Sequence, residues 1–462
     1  MTVEVNANPA KRFFVEMLTR DIELKDSILD LLDNCVDGVM RERRDHLDAE
    51  QPYQGFEAHI TFDKERFEIA DNCGGIPRDV ALNRAFRLGR PNKGIDENLP
   101  TVGVYGIGMK RAIFKMGQSA QVISRSADSA YRVSISPDWL EDDGNWMLPI
   151  EEIGQRGDDR GTAVLVTNLY PGIARLFSDK TGFVNDLTKA ISAYYGNIIK
   201  KGFSVFVNGE KVVPHFATFI FSKDSLESGA GVAPFVYTGE YRGVTIELAV
   251  GLYRNLPSDE EQEENLAGKP TTETAGWTII CNDRVVLYAD KTKVTGWGEA
   301  GVPQYHTQFV SISGVVNFKA NDASLLPVTT TKRGIDGNSE LYLSVKEFMR
   351  EGVKLFTDYT NKWKGAASRP EMGQAAAPAS PGSIANMISN DHWSQDRKSI
   401  IKGNKFKPQL PLPEKDMEYR FLRFSKPLSQ IKKLGEYYFD NPDANPGEIG
   451  GACFDEVIKG VK

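Results

Sequence analysis

The fold of this chain is decided by the stretch Asp-Asn-Cys-Gly-Gly-Ile-Pro, which runs from Asp71 to Pro77. Two segments of alternating apolar and polar residues precede it, at 58–62 and 67–70, so we expect a β-hairpin whose second strand leads into the glycine turn. Glycine adopts backbone angles that other residues resist and lets a ligand approach the main chain. The turn is therefore a candidate ligand site, and a tight surface turn is the alternative.

A helix is predicted upstream of the hairpin, from Ser27 to about Arg44, because apolar residues recur there at helical spacing. A second stripe of the same helix is polar. Its members are Asp30, Asp33, Asn34 and Asp37. Two interpretations of this stripe stay open, a solvated acidic face and a set of side chains directed at a ligand.

A glycine-rich loop lies downstream of the hairpin and contains Gly103, Gly106 and Gly108. The residues that follow, 109–116, have helical periodicity. A loop of this kind at the start of a helix favours phosphate, because free backbone N–H groups and the helix dipole both attract an anion. The order of helix, strands and loop fits neither the Walker A loop nor the Rossmann fingerprint.

These motifs together resemble those of the GHKL ATPase superfamily, which includes gyrase B, MutL, the heat-shock chaperone ATPases, the sensor histidine kinases and the MORC proteins. Within the superfamily the chain is most similar to MORC-type and MutL-type proteins. Residues 103–110, Gly-Val-Tyr-Gly-Ile-Gly-Met-Lys, are similar to the MORC lid motif, and Gly161-Thr162 is similar to the start of the strand that closes the pocket. The resemblance covers about residues 10–350 and implies ATP and Mg²⁺ as cofactors.

The resemblance implies a role for each matching residue. Asn34 would be the magnesium ligand, and Asp71 would accept a hydrogen bond from the adenine amino group, assisted by Thr162. Lys110 would reach a phosphate oxygen as a mobile point charge. Asp30 would activate the attacking water. The other nucleotide-binding positions that the resemblance implies are Gly75, Ile76, Gly103, Tyr105, Gly106, Gly108 and Met109.

The chain departs from the pattern of the family at two positions. Gyrase-like and MutL-like members carry glutamate where this chain has Asp30, so the carboxylate is one methylene shorter and must be brought closer by the backbone or act through a second water. Cys73 replaces the first glycine of the usual D-x-G-x-G pattern.

A second domain is expected after about residue 200, because segments such as 276–281 and 284–288 read as strands. Its size and order are similar to the transducer domain, a ribosomal-protein-like α/β fold, that follows the ATPase module in gyrase, MutL and MORC. Such domains project one lysine onto the terminal phosphate. The resemblance assigns this catalytic sensor role to Lys332, and a surface lysine in a threonine-rich turn is the alternative.

We predict an α+β protein in which a GHKL, or Bergerat-type, ATPase sandwich occupies residues 1–200 and a transducer-like domain occupies 201–364. A flexible linker is expected at 365–384, which is rich in small residues and proline, and a C-terminal region of unknown fold at 385–462. A chain of 462 residues with 40% hydrophobic residues is large enough for more than one core.

The composition of the chain argues against several classes of protein. The 4 cysteines and 5 histidines show no spacing typical of a zinc site or a disulfide framework. A net charge of −7 argues against a globally basic nucleic-acid-binding protein. The first residues lack an apolar signal core, so the expected location is the cytoplasm, without a membrane partner.

The predicted function is Mg²⁺-dependent ATP hydrolysis that drives lid closure and association of two protomers. Duplex DNA is the expected partner, in genome maintenance or in defence against invading DNA. A chaperone-like ATPase that acts on protein clients is the alternative. A phosphotransfer kinase is disfavoured, because only residues 1–25 precede the helix that carries Asn34.

Overall fold

The structure of this protein is a computed structural model, and the described parts of the chain form two compact units. The first unit holds the described residues up to 364 and those from 380 to 412, and the second holds those from 413 onward. The described residues are 10–46, 49–87, 106–155, 157, 159–179, 182–215, 217–257, 274–329, 334–364, 380–396, 400–413, 422 and 424–461.

Helices and strands are numbered here in chain order. The α-helices are α1 (Lys11–Arg20), α2 (Leu24–Glu42), α3 (Arg78–Val80), α4 (Gly108–Met116), α5 (Pro137–Glu141), α6 (Pro171–Ser178), α7 (Gly182–Tyr194), α8 (Gly196–Lys200), α9 (Lys223–Ser228), α10 (Glu340–Lys362), α11 (Pro381–Ala385), α12 (Leu428–Phe439) and α13 (Pro446–Gly460). The strands are β1 (Glu57–Phe62), β2 (Phe67–Asp71), β3 (Gly117–Arg125), β4 (Ala130–Ile135), β5 (Ile150–Glu152), β6 (Gly161–Leu169), β7 (Ser204–Val207), β8 (Glu210–Lys211), β9 (Phe235–Tyr241), β10 (Val244–Leu252), β11 (Gly276–Cys281), β12 (Arg284–Asp290), β13 (Ile312–Lys319), β14 (Ser394–Gln395) and β15 (Lys402–Phe406).

Among the described residues, 8 strands form a first mixed sheet in the order β5-β4-β3-β6-β2-β1-β7-β8. Strands β1 and β2 are the predicted hairpin, with Ala58 opposite Asp71 and Phe62 opposite Phe67, so that prediction is confirmed. On its other side β1 pairs with β7 in parallel. The remaining neighbours in this sheet pair antiparallel.

Helices α2, α4 and α7 share a hydrophobic core with the first sheet. The predicted helix upstream of the hairpin is confirmed as α2, and the predicted helix after the glycine loop is confirmed as α4. The apolar stripe predicted for α2 is buried in this core, which follows from its helical spacing. Helix α2 thereby brings Cys35 within hydrogen-bond distance of Asp71 at the end of β2, and α4 begins beside Asp30 of α2.

A second mixed sheet contains 7 of the described strands, in the order β12-β11-β13-β10-β9-β15-β14. Helix α10 packs on it, and Gly352 permits the close approach, since a Cβ at this position would lie 2.3 Å from a methyl carbon of Val250. Phe348 of the same helix stacks on Tyr237 with ring centroids 3.8 Å apart. Two mixed sheets with helices packed on them confirm the α+β fold class.

Two predicted domain boundaries differ from the structure. Strands β7 and β8 lie beyond the predicted boundary at residue 200, but they complete the first sheet because β7 pairs with β1. Strands β14 and β15 lie within the predicted C-terminal region, but β15 pairs with β9 in the second sheet. Both pairings join segments far apart in the sequence, which local patterns do not reveal. Residues 365–379 of the predicted linker lie outside the described residues.

The second unit contains α12 and α13, which pack against each other. The sequence left the fold of this region open, and α12 and α13 give it helical structure. Gly435 makes the contact possible, since a Cβ there would lie 2.6 Å from the carbonyl oxygen of Asn441 and 3.2 Å from the Cδ1 atom of Ile449. Across the described parts of the chain, no helix is long and apolar enough to cross a membrane.

Candidate functional site

The carboxylate of Asp71 lies at the end of β2 and is held by hydrogen bonds from three residues, Cys73, Thr162 and Cys35. Its Oδ1 atom accepts hydrogen bonds from the backbone N–H of Cys73 at 2.8 Å and of Thr162 at 3.3 Å. Its Oδ2 atom accepts one from the Cys35 thiol at 3.4 Å, and a thiol is a weak donor. Burial raises the pKa of the Asp71 carboxyl, although the three hydrogen bonds oppose that shift. The carboxylate is thus fixed in orientation, with Oδ2 able to accept a stronger hydrogen bond.

Gly161 and Thr162 bring strand β6 alongside Asp71. The strand pairs antiparallel with β2 and places Ala163 opposite Ala70. A Cβ at position 161 would lie 1.8 Å from the carbonyl oxygen of Asp71, so the approach requires glycine. Thr162 then donates its backbone N–H to the carboxylate. The Gly-Thr pair found in the sequence therefore has a geometric reason in the structure.

The glycine turn after Asp71 docks on strand β3. Gly74 and Gly75 have φ angles of 90° and 74°, in the left-handed region that favours glycine. A Cβ at Gly75 would lie 2.1 Å from the carbonyl oxygen of Arg125. Ile76 donates its backbone N–H to the Ser124 hydroxyl at 2.6 Å. Gly75 therefore serves the fold itself, and its predicted place beside a bound base stays a prediction.

Two buried cysteines lie next to Asp71. Burial raises the pKa of the thiols of Cys35 and Cys73, with Asp71 adding to both shifts, so both are neutral at physiological pH. Cys73 packs against helix α2 at Gly38, where a Cβ would lie 2.5 Å from the Cys73 carbonyl oxygen. The cysteine that departs from the family's glycine pattern is therefore a core residue at the contact between α2 and the turn.

Helix α2 exposes one residue between Ser27 and Met40, and that residue is Asn34. The three carboxylates of the predicted polar stripe are buried instead. They are Asp30, Asp33 and Asp37. The stripe is therefore no solvated acidic face, and that interpretation is wrong. Asn34 is the exposed member of this stripe.

Asp33 forms a buried ion pair with Arg284 of the second sheet. The Nε atom of Arg284 donates to Oδ1 of Asp33 at 2.9 Å, and both side chains are 1% exposed. The Tyr195 hydroxyl donates to the same oxygen at 2.5 Å, and its ring centroid lies 4.2 Å from the guanidinium. Burial acts to lower the pKa of Arg284, but Tyr195 and Asp33 outweigh it and raise that pKa. Helix α2 and the second sheet are thereby joined.

The turn between β11 and β12 carries this contact. Asn282 and Asp283 occupy left-handed backbone conformations, with φ angles of 47° and 67°. Asp283 accepts hydrogen bonds from the Lys201 ammonium at 2.7 and 2.8 Å and from the Tyr53 hydroxyl at 3.2 Å. Sequence reasoning missed the role of this turn. The hairpin pattern of an Asn-Asp turn was visible, but its docking partners were not.

The predicted phosphate-binding loop leads into α4. Gly106 has a φ of 67°, which favours glycine. Gly108 begins the helix and lies against Asp30, since a Cβ there would be 3.3 Å from the Asp30 Cβ. The start of α4 therefore lies beside the predicted catalytic carboxylate. Three predicted site residues lie outside the described residues, namely Gly103, Tyr105 and Lys332.

The side chains of α4 are held by the protein itself. Met109 packs against the core of the first sheet. Lys110 is buried, and its ammonium donates hydrogen bonds to the carbonyl oxygens of Ala85, at 2.9 Å, and of Gly106. The predicted contact of Lys110 with phosphate stays a prediction and would require these hydrogen bonds to be exchanged.

Asn34 fits the predicted role of magnesium ligand in donor type and in exposure. An amide oxygen is a hard ligand, and Mg²⁺ keeps several waters and binds phosphate oxygens besides one or two protein oxygens. In the described parts of the chain, no three His, Cys, Asp or Glu side chains cluster as a metal site. Magnesium at Asn34 would therefore be held largely by water and by the nucleotide.

A separate polar cleft of about 440 Å³ is lined by residues 77–79, which directly follow the glycine turn. Tyr131 lines it and donates its hydroxyl to the carbonyl oxygen of Ile76 at 2.8 Å. Arg78 and Glu152 form an exposed ion pair at its rim. None of the predicted nucleotide-site residues lines this cleft, and no signal in the sequence indicated it.

Comparison with known families agrees with the geometry of the first sheet. Residues 22–158 match the family model described as "Histidine kinase-, DNA gyrase B-, and HSP90-like ATPase". The matched segment contains Asp30, Asn34, Asp71 and the start of α4. This part of the chain is therefore supported as a GHKL-type ATPase domain, and ATP is the ligand that such a domain binds. No curated protein matches the chain.

Proposed function

We propose that this protein is a Mg²⁺-dependent ATPase of MORC-like or MutL-like type. The observation that carries the proposal is the Asp71 carboxylate, whose Oδ1 accepts from two backbone N–H groups while Oδ2 accepts from the Cys35 thiol, a weak donor. The Oδ2 atom of Asp71 can therefore accept a strong hydrogen bond from a ligand. The adenine amino group is the donor that the family match leads us to expect there.

The phosphates would lie at the other end of the site, at the start of α4. We assign the backbone N–H groups of Gly106 and Gly108 to the phosphates as hydrogen-bond donors, and the dipole of α4 adds a favourable field for an anion. Asn34 would bind the magnesium ion, since it is the exposed residue of α2 between Ser27 and Met40. Asp30 lies beside Gly108 and would act as the general base for hydrolysis.

Nucleotide binding would act as a conformational switch. ATP would close the lid that precedes α4 and bring two protomers together through their N-terminal modules. We assign the second sheet to a transducer-like domain, with Lys332 as the sensor of the terminal phosphate. The buried ion pair between Asp33 and Arg284 supports this coupling, because it ties the helix that carries Asn34 to the second sheet.

Duplex DNA is the partner that we propose for the ATP-bound dimer, in genome maintenance or in defence against invading DNA. The resemblance of the site motifs to MORC and MutL supports this choice. Binding would be independent of sequence and would weaken steeply with salt, because contacts to phosphate release counterions. The cytoplasm is the location that we propose.

The test uses the full chain. A non-hydrolysable ATP analogue should bind in calorimetric titration, ATP turnover should require Mg²⁺, and duplex DNA should change the turnover rate. Anisotropy of labelled duplex at two salt concentrations measures DNA binding directly. Failure to bind the analogue would refute the ATPase proposal. A response to unfolded protein instead of DNA would overturn the DNA assignment and leave the ATPase standing.

A further inference from the structure

Asp30 of α2 and Arg111 of α4 form an ion pair at the start of α4. The guanidinium of Arg111 donates a hydrogen bond to the Oδ2 atom of Asp30. The Arg111 side chain is 12% exposed and that of Asp30 is 6% exposed. An ion pair this far from solvent is weakly screened, so it holds both side chains in a defined geometry.

Gly108 lets the Asp30 carboxylate reach this position. A Cβ at Gly108 would lie 3.3 Å from the Asp30 Cβ and 3.5 Å from its Oδ2 atom. The first distance is shorter than a comfortable contact between carbon atoms. The glycine therefore serves two purposes, since it opens the helix start to an anion and admits the aspartate to it.

Arg111 differs from the other cations of α4 in what it contacts. Lys110 donates to the carbonyl oxygens of Ala85 and Gly106, and Lys115 donates to the carbonyl oxygen of Thr19 at 2.9 Å. Arg111 donates to a carboxylate, that of Asp30. Its Nε atom is buried without a hydrogen-bond partner among the described residues, so the ion pair carries the interaction.

We propose that Arg111 is a positioning residue for ATP hydrolysis. It fixes the carboxylate of Asp30 beside the start of α4 and so compensates for the methylene group that aspartate lacks relative to glutamate. In the reaction the water oxygen bonds to the terminal phosphorus, the bond from that phosphorus to the departing ADP oxygen breaks, and Asp30 accepts the proton that water loses. The inference rests on the proposed ATPase function.

Replacement of Arg111 by methionine tests the inference. The turnover number should fall on the order of 100-fold, because a misplaced catalytic group loses that much. The dissociation constant of a non-hydrolysable ATP analogue should change less than about threefold, since binding depends on Asp71 and the turn. Arg111→Lys, which keeps the charge, should give an intermediate rate. Lys115→Met on the same helix is the matched control and should keep the wild-type rate.

A double variant separates positioning from a general structural role. Arg111→Met in an Asp30→Asn background should cause no further loss of rate, because the group that Arg111 positions is already disabled. If Arg111→Met fails to fold, Arg111→Gln, which is polar but too short and uncharged to form the ion pair, replaces it throughout.

Three results with the variants would overturn the proposal. They are a wild-type rate in Arg111→Met, a loss of analogue affinity as large as the loss of rate, and additive losses in the double variant. A wild-type protein that binds the analogue but never hydrolyses ATP would also overturn it and leave ATP binding intact. Absence of analogue binding by the wild type would instead refute the proposed function itself.

Discussion

Replacing Asp71 with asparagine should weaken nucleotide binding while leaving the protein folded. The retained oxygen can still accept from the backbone N–H groups of Cys73 and Thr162, which lie 2.8 and 3.3 Å from Oδ1. The amide nitrogen takes the place of Oδ2. Because the amide NH2 and the adenine amino group are both donors, no hydrogen bond forms between them. A hydrogen bond to a charged group contributes about 1.5–3 kcal/mol, so affinity should fall about 10- to 150-fold.

The same substitution should not reduce stability at neutral pH. Burial raises the pKa of Asp71 in the folded protein, so the folded protein binds this proton at a pH where the unfolded chain has released it. The stability that the protonated carboxyl contributes is therefore lost as pH rises through the folded pKa. Asparagine does not titrate, so the Asp71→Asn variant does not lose this stability as pH rises. The free energy of unfolding of Asp71→Asn should equal or exceed that of wild type at pH 7, with the difference shrinking toward about pH 4.

Calorimetric titration with a non-hydrolysable ATP analogue and urea unfolding at pH 7 and pH 5 measure the two effects. Asp63→Asn in the same hairpin is the matched control. Asp63 accepts hydrogen bonds from the backbone N–H groups of Glu65 at 2.7 Å and Arg66 at 3.0 Å, which lower the pKa of Asp63. The control should keep its affinity and lose stability at pH 7, and that loss should vanish as pH falls through the lowered pKa. Unchanged affinity in folded Asp71→Asn would refute the assignment of Asp71 to adenine.

Three further perturbations test other parts of the molecule. Asp30→Asn should preserve affinity for the ATP analogue and lower hydrolysis by roughly 10²–10⁴-fold, and a wild-type rate in a phosphate-release assay would place the base elsewhere. Arg284→Met should reduce the free energy of unfolding in urea by about 3–5 kcal/mol, because Asp33 stays buried without its cation. Arg12→Met, at an exposed pair, should cost less than about 1 kcal/mol, and equal costs would contradict this reasoning. Lys332→Ala should keep ADP affinity but weaken ATP-dependent dimerisation in light scattering, and equal dimerisation would exclude the sensor role.

The sequence by itself determined the local elements around the site. The period of two at 58–62 and 67–70 predicted the hairpin of β1 and β2, and helical spacing predicted α2 and α4, since these patterns depend on neighbours within a few residues. The motifs on those elements also indicated the ATPase superfamily, which the match over residues 22–158 supports. Specific MORC-like or MutL-like character, dimerisation and DNA binding are still predictions.

Only the tertiary structure decided what the polar residues of α2 do. Their spacing fits both interpretations, a solvated face or a ligand site. Helical periodicity shows which residues share a face of the helix, but it does not show which chain segments pack on that face. Asp30 meets Arg111, which is 81 residues away, and Asp33 meets Arg284, which is 251 residues away. Asn34, which directly follows Asp33 in the sequence, is left exposed. Burial and charge pairing depend on chain segments brought together by folding, so no local reading of the sequence could have assigned them.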